Sequence, residues 1–117
     1  MFALGLEPPY YAVIFVSSQK DDAGYGKMAS AMAALAAEQP GYLGIESVRG
    51  EDGLGITISY WESEAAISAW KSNAAHAAAQ DRGIQQFYEH YELRVARVDR
   101  AYSGPEGRDL LTNSAPE

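Results

Sequence analysis

The stretch Gly55–Trp70, GITISYWESEAAISAW, decides the fold. Its first half alternates as a strand does, with Ile56, Ile58 and Tyr60 on one face and Thr57, Ser59 and Trp61 on the other. Its second half abandons that period. Ser63 is a helix N-cap, Glu64 sits in the first turn where the helix dipole favours a negative charge, and the helix runs through Ile67 and Trp70. A strand that passes through the aromatic pair Tyr60-Trp61 into a helix with a second tryptophan places an indole near the mouth of a small domain. His76, six residues after Trp70, adds an imidazole.

Working outward, Leu54 begins this strand, and Glu51-Asp52-Gly53 before it has the chemistry of a hairpin turn. The partner strand is Tyr42–Arg49, YLGIESVR, with Leu43 and Ile45 in phase. Upstream, Met28, Met32, Leu35 and Ala36 recur at i, i+4, i+7 and i+8. This predicts an amphipathic helix that Asp21 or Asp22 caps and that ends before Pro40-Gly41. Tyr10–Ser17, YYAVIFVS, is a strand apolar at both parities and therefore buried on both faces. Downstream, Ser72-Asn73 suggests a kink, an alanine-rich segment continues to Asp81, and Gly83 breaks it. Ile84–Tyr88 suits one more short turn of helix, and Tyr91–Tyr102, YELRVARVDRAY, reads as the last strand. The chain thus divides into a leader (1–9), one domain (10–102) and a loose tail (103–117) rich in Gly, Pro and polar residues.

The order β-α-β-β-α-β is that of a ferredoxin-like α+β domain with an antiparallel sheet. Helices cover one face of such a sheet, yet the first strand is apolar on both. A second copy of the sheet is the economical cover, so a homodimer closing into an α+β barrel is expected.

Composition narrows the function classes. At 117 residues, with 47% hydrophobic and 21% charged residues, the chain makes a single globular domain. A net charge of −7 argues against nucleic acid as a partner, because phosphate binding needs clustered Lys and Arg. Arg94, Arg97 and Arg100 alternate with apolar or acidic neighbours, as on a solvated strand edge. The absence of cysteine rules out disulfides, thiolate metal sites and a cysteine nucleophile. His76 and His90 lie 14 positions apart without patterned carboxylates, so no metal site is expected. Gly24-Tyr25-Gly26 lacks the spacing of a phosphate loop. No apolar run has the length of a membrane span. Met1–Tyr11 has no basic region and is interrupted by Glu7-Pro8-Pro9, so a secretory signal is not expected and cytoplasm is the default.

Several motifs occur in a specific order: Glu7-Pro8-Pro9-Tyr10-Tyr11-Ala12-Val13-Ile14-Phe15, Gly24-Tyr25-Gly26, Gln39-Pro40-Gly41-Tyr42-Leu43-Gly44, Ile56-Thr57-Ile58-Ser59-Tyr60-Trp61-Glu62 and Arg94-Val95-Ala96-Arg97-Val98. Together they resemble the antibiotic biosynthesis monooxygenase family, from about Glu7 to Tyr102. The resemblance implies the dimeric α+β barrel inferred above. It also implies cofactor-independent oxygenation, by dioxygen, of a small aromatic or quinol-like compound. Such chemistry needs an apolar cavity, an aromatic wall, a few hydrogen bonders and a base that helps form an electron-rich phenolate. Trp70 and His76 are the catalytic candidates, and Tyr60, Trp61, Tyr88 and Tyr91 the substrate-binding ones.

The family's polyketide oxygenases use a helix Asn, a Trp four residues later and a Tyr six residues beyond. Here those positions hold Ala66, Trp70 and His76. Haem-degrading relatives use an Asn on the first strand, and none occurs between Tyr10 and Ser17. Each candidate also has a plain alternative: a surface histidine for His76, core packing for Trp70, Trp61 and Tyr60, and an exposed position for His90. A barrel that binds an aromatic metabolite without reaction is the competing expectation, and a haem-handling protein the third.

Overall fold

The computed structural model describes residues 2–19, 32–80 and 88–105. Strand β1 (Tyr10–Gln19) is followed by a helical segment, α1, over 32–37, then by β2 (Tyr42–Arg49), β3 (Leu54–Trp61), helix α2 (Glu64–Gln80) and β4 (Tyr88–Val98). The sheet order is β2-β3-β1-β4 and every neighbouring pair is antiparallel. This is the ferredoxin-like α+β arrangement, and it places the doubly apolar β1 between two strands.

The local chemistry sets the junctions. The β2–β3 hairpin closes through Gly50 N–H to Leu54 O (2.8 Å), with Gly53 at φ +89° and the Asp52 carboxylate accepting from Leu54 N–H at 3.1 Å. A residue with a side chain would strain at that φ. Ser63 caps α2, its Oγ accepting from Ala66 N–H at 3.0 Å. Just before β2, Gly41 (φ +86°) accepts the Glu62 N–H at 2.8 Å, and its missing side chain admits Ala66 of α2. The entry of β2 and the start of α2 are thereby clasped together.

Strand parity then assigns the faces. Val13, Trp61, Ile67 and Ala36 form the core, with Tyr11, Tyr42, Ala66 and Trp70 packed on it. The helices therefore cover the Ser59/Trp61 face of β3. The other face carries Leu54 (53% exposed), Ile56 (40%) and, across from Ile56 on β2, Val48 (68%). An apolar sheet surface is left facing outward.

Three boundaries differ from expectation. The final strand starts at Tyr88 rather than Tyr91 and ends at Val98 rather than Tyr102. Its limits are set by its partner: β1 pairs from Tyr10↔Val98 to Gln19↔Tyr88, across an irregularity at Ser18/Gln19, and beyond Val98 no partner remains. For the same reason β1 extends past Ser17 to Gln19. Helix α2 continues unbroken through Ser72-Asn73. The Asn73 side chain donates to Gln39 Oε1 at 2.6 Å instead of competing for the helix backbone. The expected cap at Asp21 or Asp22, the Gly24–Gly26 stretch, residues 84–87 of the expected Ile84–Tyr88 turn and most of the tail lie outside the described residues, and Tyr88 is strand rather than helical turn. No helix among the described residues is long and apolar enough to cross a membrane.

Candidate functional site

Under α2 one rung of the sheet runs through all four strands. Tyr42 pairs with Trp61, Trp61 with Tyr11, and Tyr11 with Arg97. Because these residues share a rung and a parity, their side chains rise on the helix-covered face. Trp61 is completely buried (0% exposed), and its indole N–H donates to Ser59 Oγ, two residues back on the same face, at 2.9 Å. Trp70 descends from α2 and lies over it with ring centroids 5.9 Å apart and planes 21° from parallel. Tyr42 meets Trp61 edge-on at 5.6 Å and 82°. Burial raises the Tyr42 hydroxyl above the ordinary phenol pKa.

At the other end of the rung, Tyr11, Val95, Ala96, Arg97 and Glu64 line an open cleft of about 220 Å³. Glu64 sits in the first turn of α2, where its charge complements the exposed N–H groups. Arg97 leans toward Asp99, its Nε donating at 2.8 Å, in an exposed pair. The cleft therefore joins an aromatic floor to a guanidinium and a carboxylate.

The structure separates several residues that the sequence named as candidates for one site. Tyr60, adjacent to Trp61, necessarily points to the opposite face. There it packs edge-on to Tyr10 (5.6 Å, 84°) and donates to Glu46 Oε1 at 2.6 Å. Burial, followed by that bond to a carboxylate, pushes the Tyr60 hydroxyl up to about 12. Glu46 is held below the usual carboxylate range, first by the Tyr60 bond and then by the Ala3 N–H, which donates to its other oxygen at 2.8 Å. Glu46, held by Tyr60, thus latches the segment at Ala3 to the uncovered face.

Tyr91 does share the helix-covered parity, since it pairs with Ser17. It packs against Phe15 at 5.3 Å and is 57% exposed. Six residues along β4 separate it from Arg97, about 20 Å of strand. Tyr88 begins β4 and His76 lies within α2, about 9 Å of helix axis beyond Trp70. The side chains of both lie outside the described residues. His90 is exposed and bonded to Glu92 at 2.7 Å. Among the described residues no cluster of His, Asp and Glu could hold a metal ion.

Of the candidates, then, Trp61 and Trp70 meet directly. Trp61 has no exposed surface, so its influence on a ligand would pass through Trp70. Sequence reasoning missed Ser59, Tyr11, Tyr42 and Arg97 as members of this site. The signal for Ser59 was present in its shared parity with Trp61. The place of Arg97 depends on the β1–β4 register, which no local pattern encodes.

Residues 11–82 match the family profile described as antibiotic biosynthesis monooxygenase. The chain is 56% identical over 95 residues to the uncharacterized protein YqjZ of Bacillus subtilis, covering 80% of this chain and 83% of that protein. It is 31% identical over 62 residues to a jasmonate monooxygenase of Pyricularia oryzae, covering 53% of this chain and 29% of that protein. Among solved structures, SnoaB, a cofactor-independent oxygenase from Streptomyces nogalater, superposes with a TM-score of 0.66. The identity there is 16%, and the alignment covers 80% of this chain and 96% of SnoaB.

Proposed function

Since the chain belongs to the antibiotic biosynthesis monooxygenase family, we propose that it is a monooxygenase that uses dioxygen, without a cofactor, on a small aromatic or quinol-like compound. The observation that carries this reading is the stack of Trp70 from α2 on Trp61, whose rung of the sheet continues to Tyr11 and Arg97 in the cleft. Trp70, half-buried above Trp61 and outside the lining of that cleft, supplies the wall on which a planar substrate stacks. His76 takes or holds the phenolic proton, and Tyr11 and Arg97, which line the cleft, orient the substrate's polar edges.

The resulting phenolate passes one electron to dioxygen. The radical pair then joins to form a carbon–oxygen bond, and loss of water from the hydroperoxide leaves a carbonyl. For an anthrone the sum is one CH₂ and one O₂ giving one C=O and one H₂O. The protein's tasks are to bind the ring, manage the proton and keep bulk water from the radical pair.

We further propose that the protein acts as a cytoplasmic homodimer. The outward apolar face at Val48, Leu54 and Ile56 supports this, because a second copy of the same face would remove it from water.

Oxygen uptake by metal-stripped protein, measured against anthrones, naphthols and hydroquinones with product mass recorded, tests the activity. Incorporation of one oxygen atom, lost in both Trp70→Phe and His76→Ala, is the expected result. Turnover that survives both substitutions refutes the assignment.

One feature favours binding without reaction. Ala66, at the position where the family's polyketide oxygenases use Asn, packs on the core, and an atom added at Gly41 would stand 2.6 Å from its Cβ. Saturable binding of 1-naphthol with no product in air would establish that reading. A Soret shift on haemin titration would point instead to haem handling.

A further inference from the structure

We propose that Ser59 and Trp61 are positioning residues that set the plane of the Trp70 indole and thereby the shape of the ligand site. The inference rests on the reading of Trp70 as the pocket wall. Trp61 is constrained on three sides. Its N–H is tied to Ser59 Oγ at 2.9 Å, Tyr42 meets it edge-on at 5.6 Å, and Trp70 covers its face at 5.9 Å. Ser59 is itself buried at 8% exposure and lies on a central strand between β1 and β2. The oxygen is therefore carried by an interior strand hydrogen-bonded along both edges.

A tryptophan with no exposed surface must satisfy its N–H inside the protein, and Ser59 supplies the acceptor. The hydrogen bond thus selects one orientation of the Trp61 ring about its side-chain torsions. Trp70, half-buried on α2, has fewer constraints of its own and takes its plane from the ring beneath. An isolated indole on that helix would have several rotamers available. Stacked on a fixed platform it has one. Ser59 and Trp61 never touch the ligand in this arrangement, and their effect on it is transmitted through Trp70.

The chain contains two tryptophans, so the exciton couplet of stacked indoles in far-ultraviolet circular dichroism belongs to this pair alone. Ser59→Ala keeps both indoles and removes only the acceptor. The expected result is loss of most of the couplet, together with about tenfold weaker binding of 1-naphthol, equal to about 1.4 kcal/mol. Ser59→Thr retains the hydroxyl and is expected to retain both signals. A folded Ser59→Ala variant with couplet and naphthol affinity unchanged overturns the proposal, as does equal loss in Ser59→Thr.

Should Ser59→Ala fail to fold, Trp61→Phe leaves Trp70 as the sole indole. A fast phase in its fluorescence anisotropy decay is then expected, and a rigid Trp70 overturns the proposal. If wild type neither binds 1-naphthol nor oxidises an anthrone while the couplet still collapses in Ser59→Ala, the proposed function fails and the positioning role stands.

Discussion

Replacing Gly41 by alanine isolates the clasp between β2 and α2. The added Cβ would lie 2.6 Å from Ala66 Cβ and 3.1 Å from Glu62 Cγ, in a backbone conformation with φ +86°. Two costs follow. Holding a non-glycine residue in the left-handed region costs about 1–2 kcal/mol. Relieving the contact requires α2 to shift, because Ala66 is packed on the core, and overpacking of this kind costs about 1–3 kcal/mol. The sum, about 2–5 kcal/mol, corresponds to a fall in Tm of roughly 10–25 °C for a domain of this size.

Thermal and urea unfolding followed by circular dichroism measure it. Ala66→Gly in the same background removes the clash and leaves the backbone strain. The double variant should therefore recover the steric part, and the cycle should return a coupling of about 1–3 kcal/mol. Gly5→Ala is the control, since Gly5 has φ +74° with nothing within 4 Å of the added atom. It should cost no more than the backbone part. A Gly41→Ala protein within about 0.5 kcal/mol of wild type, or a cycle with no coupling, would refute the argument that this clasp seats α2 and Trp70.

Two further outcomes are expected. The Tyr60–Glu46 latch should give a pH-dependent stability with opposite signs at its two ends. Tyr60 has a folded pKa of about 12 against an ordinary 10.0, so its contribution is full below pH 10 and disappears as pH rises from 10 to 12. Glu46 has a lowered folded pKa, so its contribution is present above the usual carboxylate range and lost as pH falls through that lowered value. Urea titrations of wild type and Tyr60→Phe should differ at pH 8 and converge above pH 12, and a difference that persists there would remove the latch as its source. Ile56→Asp places a charge in the outward apolar face while sparing the helix-covered core. Light scattering after size exclusion should show wild type at twice the chain mass and the variant at the monomer mass. A monomeric wild type would dispose of the dimer.

Two kinds of information stand apart in this chain. The elements and their order were legible locally. The alternation in Leu54–Trp61, the turn at Glu51-Asp52-Gly53, the cap at Ser63 and the stop at Pro40-Gly41 act over a few residues, where side-chain periodicity and backbone preference leave a direct trace. The double apolar parity of β1 likewise marked it as an interior strand, and it lies between β3 and β4.

The partners of each side chain were decided by tertiary structure. The limits of β4 follow from how far β1 extends beside it, and Ser72-Asn73 stays helical because Gln39 offers Asn73 a partner 34 residues away. The separation of Tyr60 from Trp61 follows from parity, but which of them meets Trp70 depends on the face that α2 covers. Leu54, Ile56 and Ile58 make up the more apolar parity of β3, yet α2 settled over Ser59 and Trp61. Both faces of this sheet bear apolar groups, so hydrophobicity alone does not choose between them. Register and the close approach at Gly41 made the choice, and these are relations between segments that no single segment encodes.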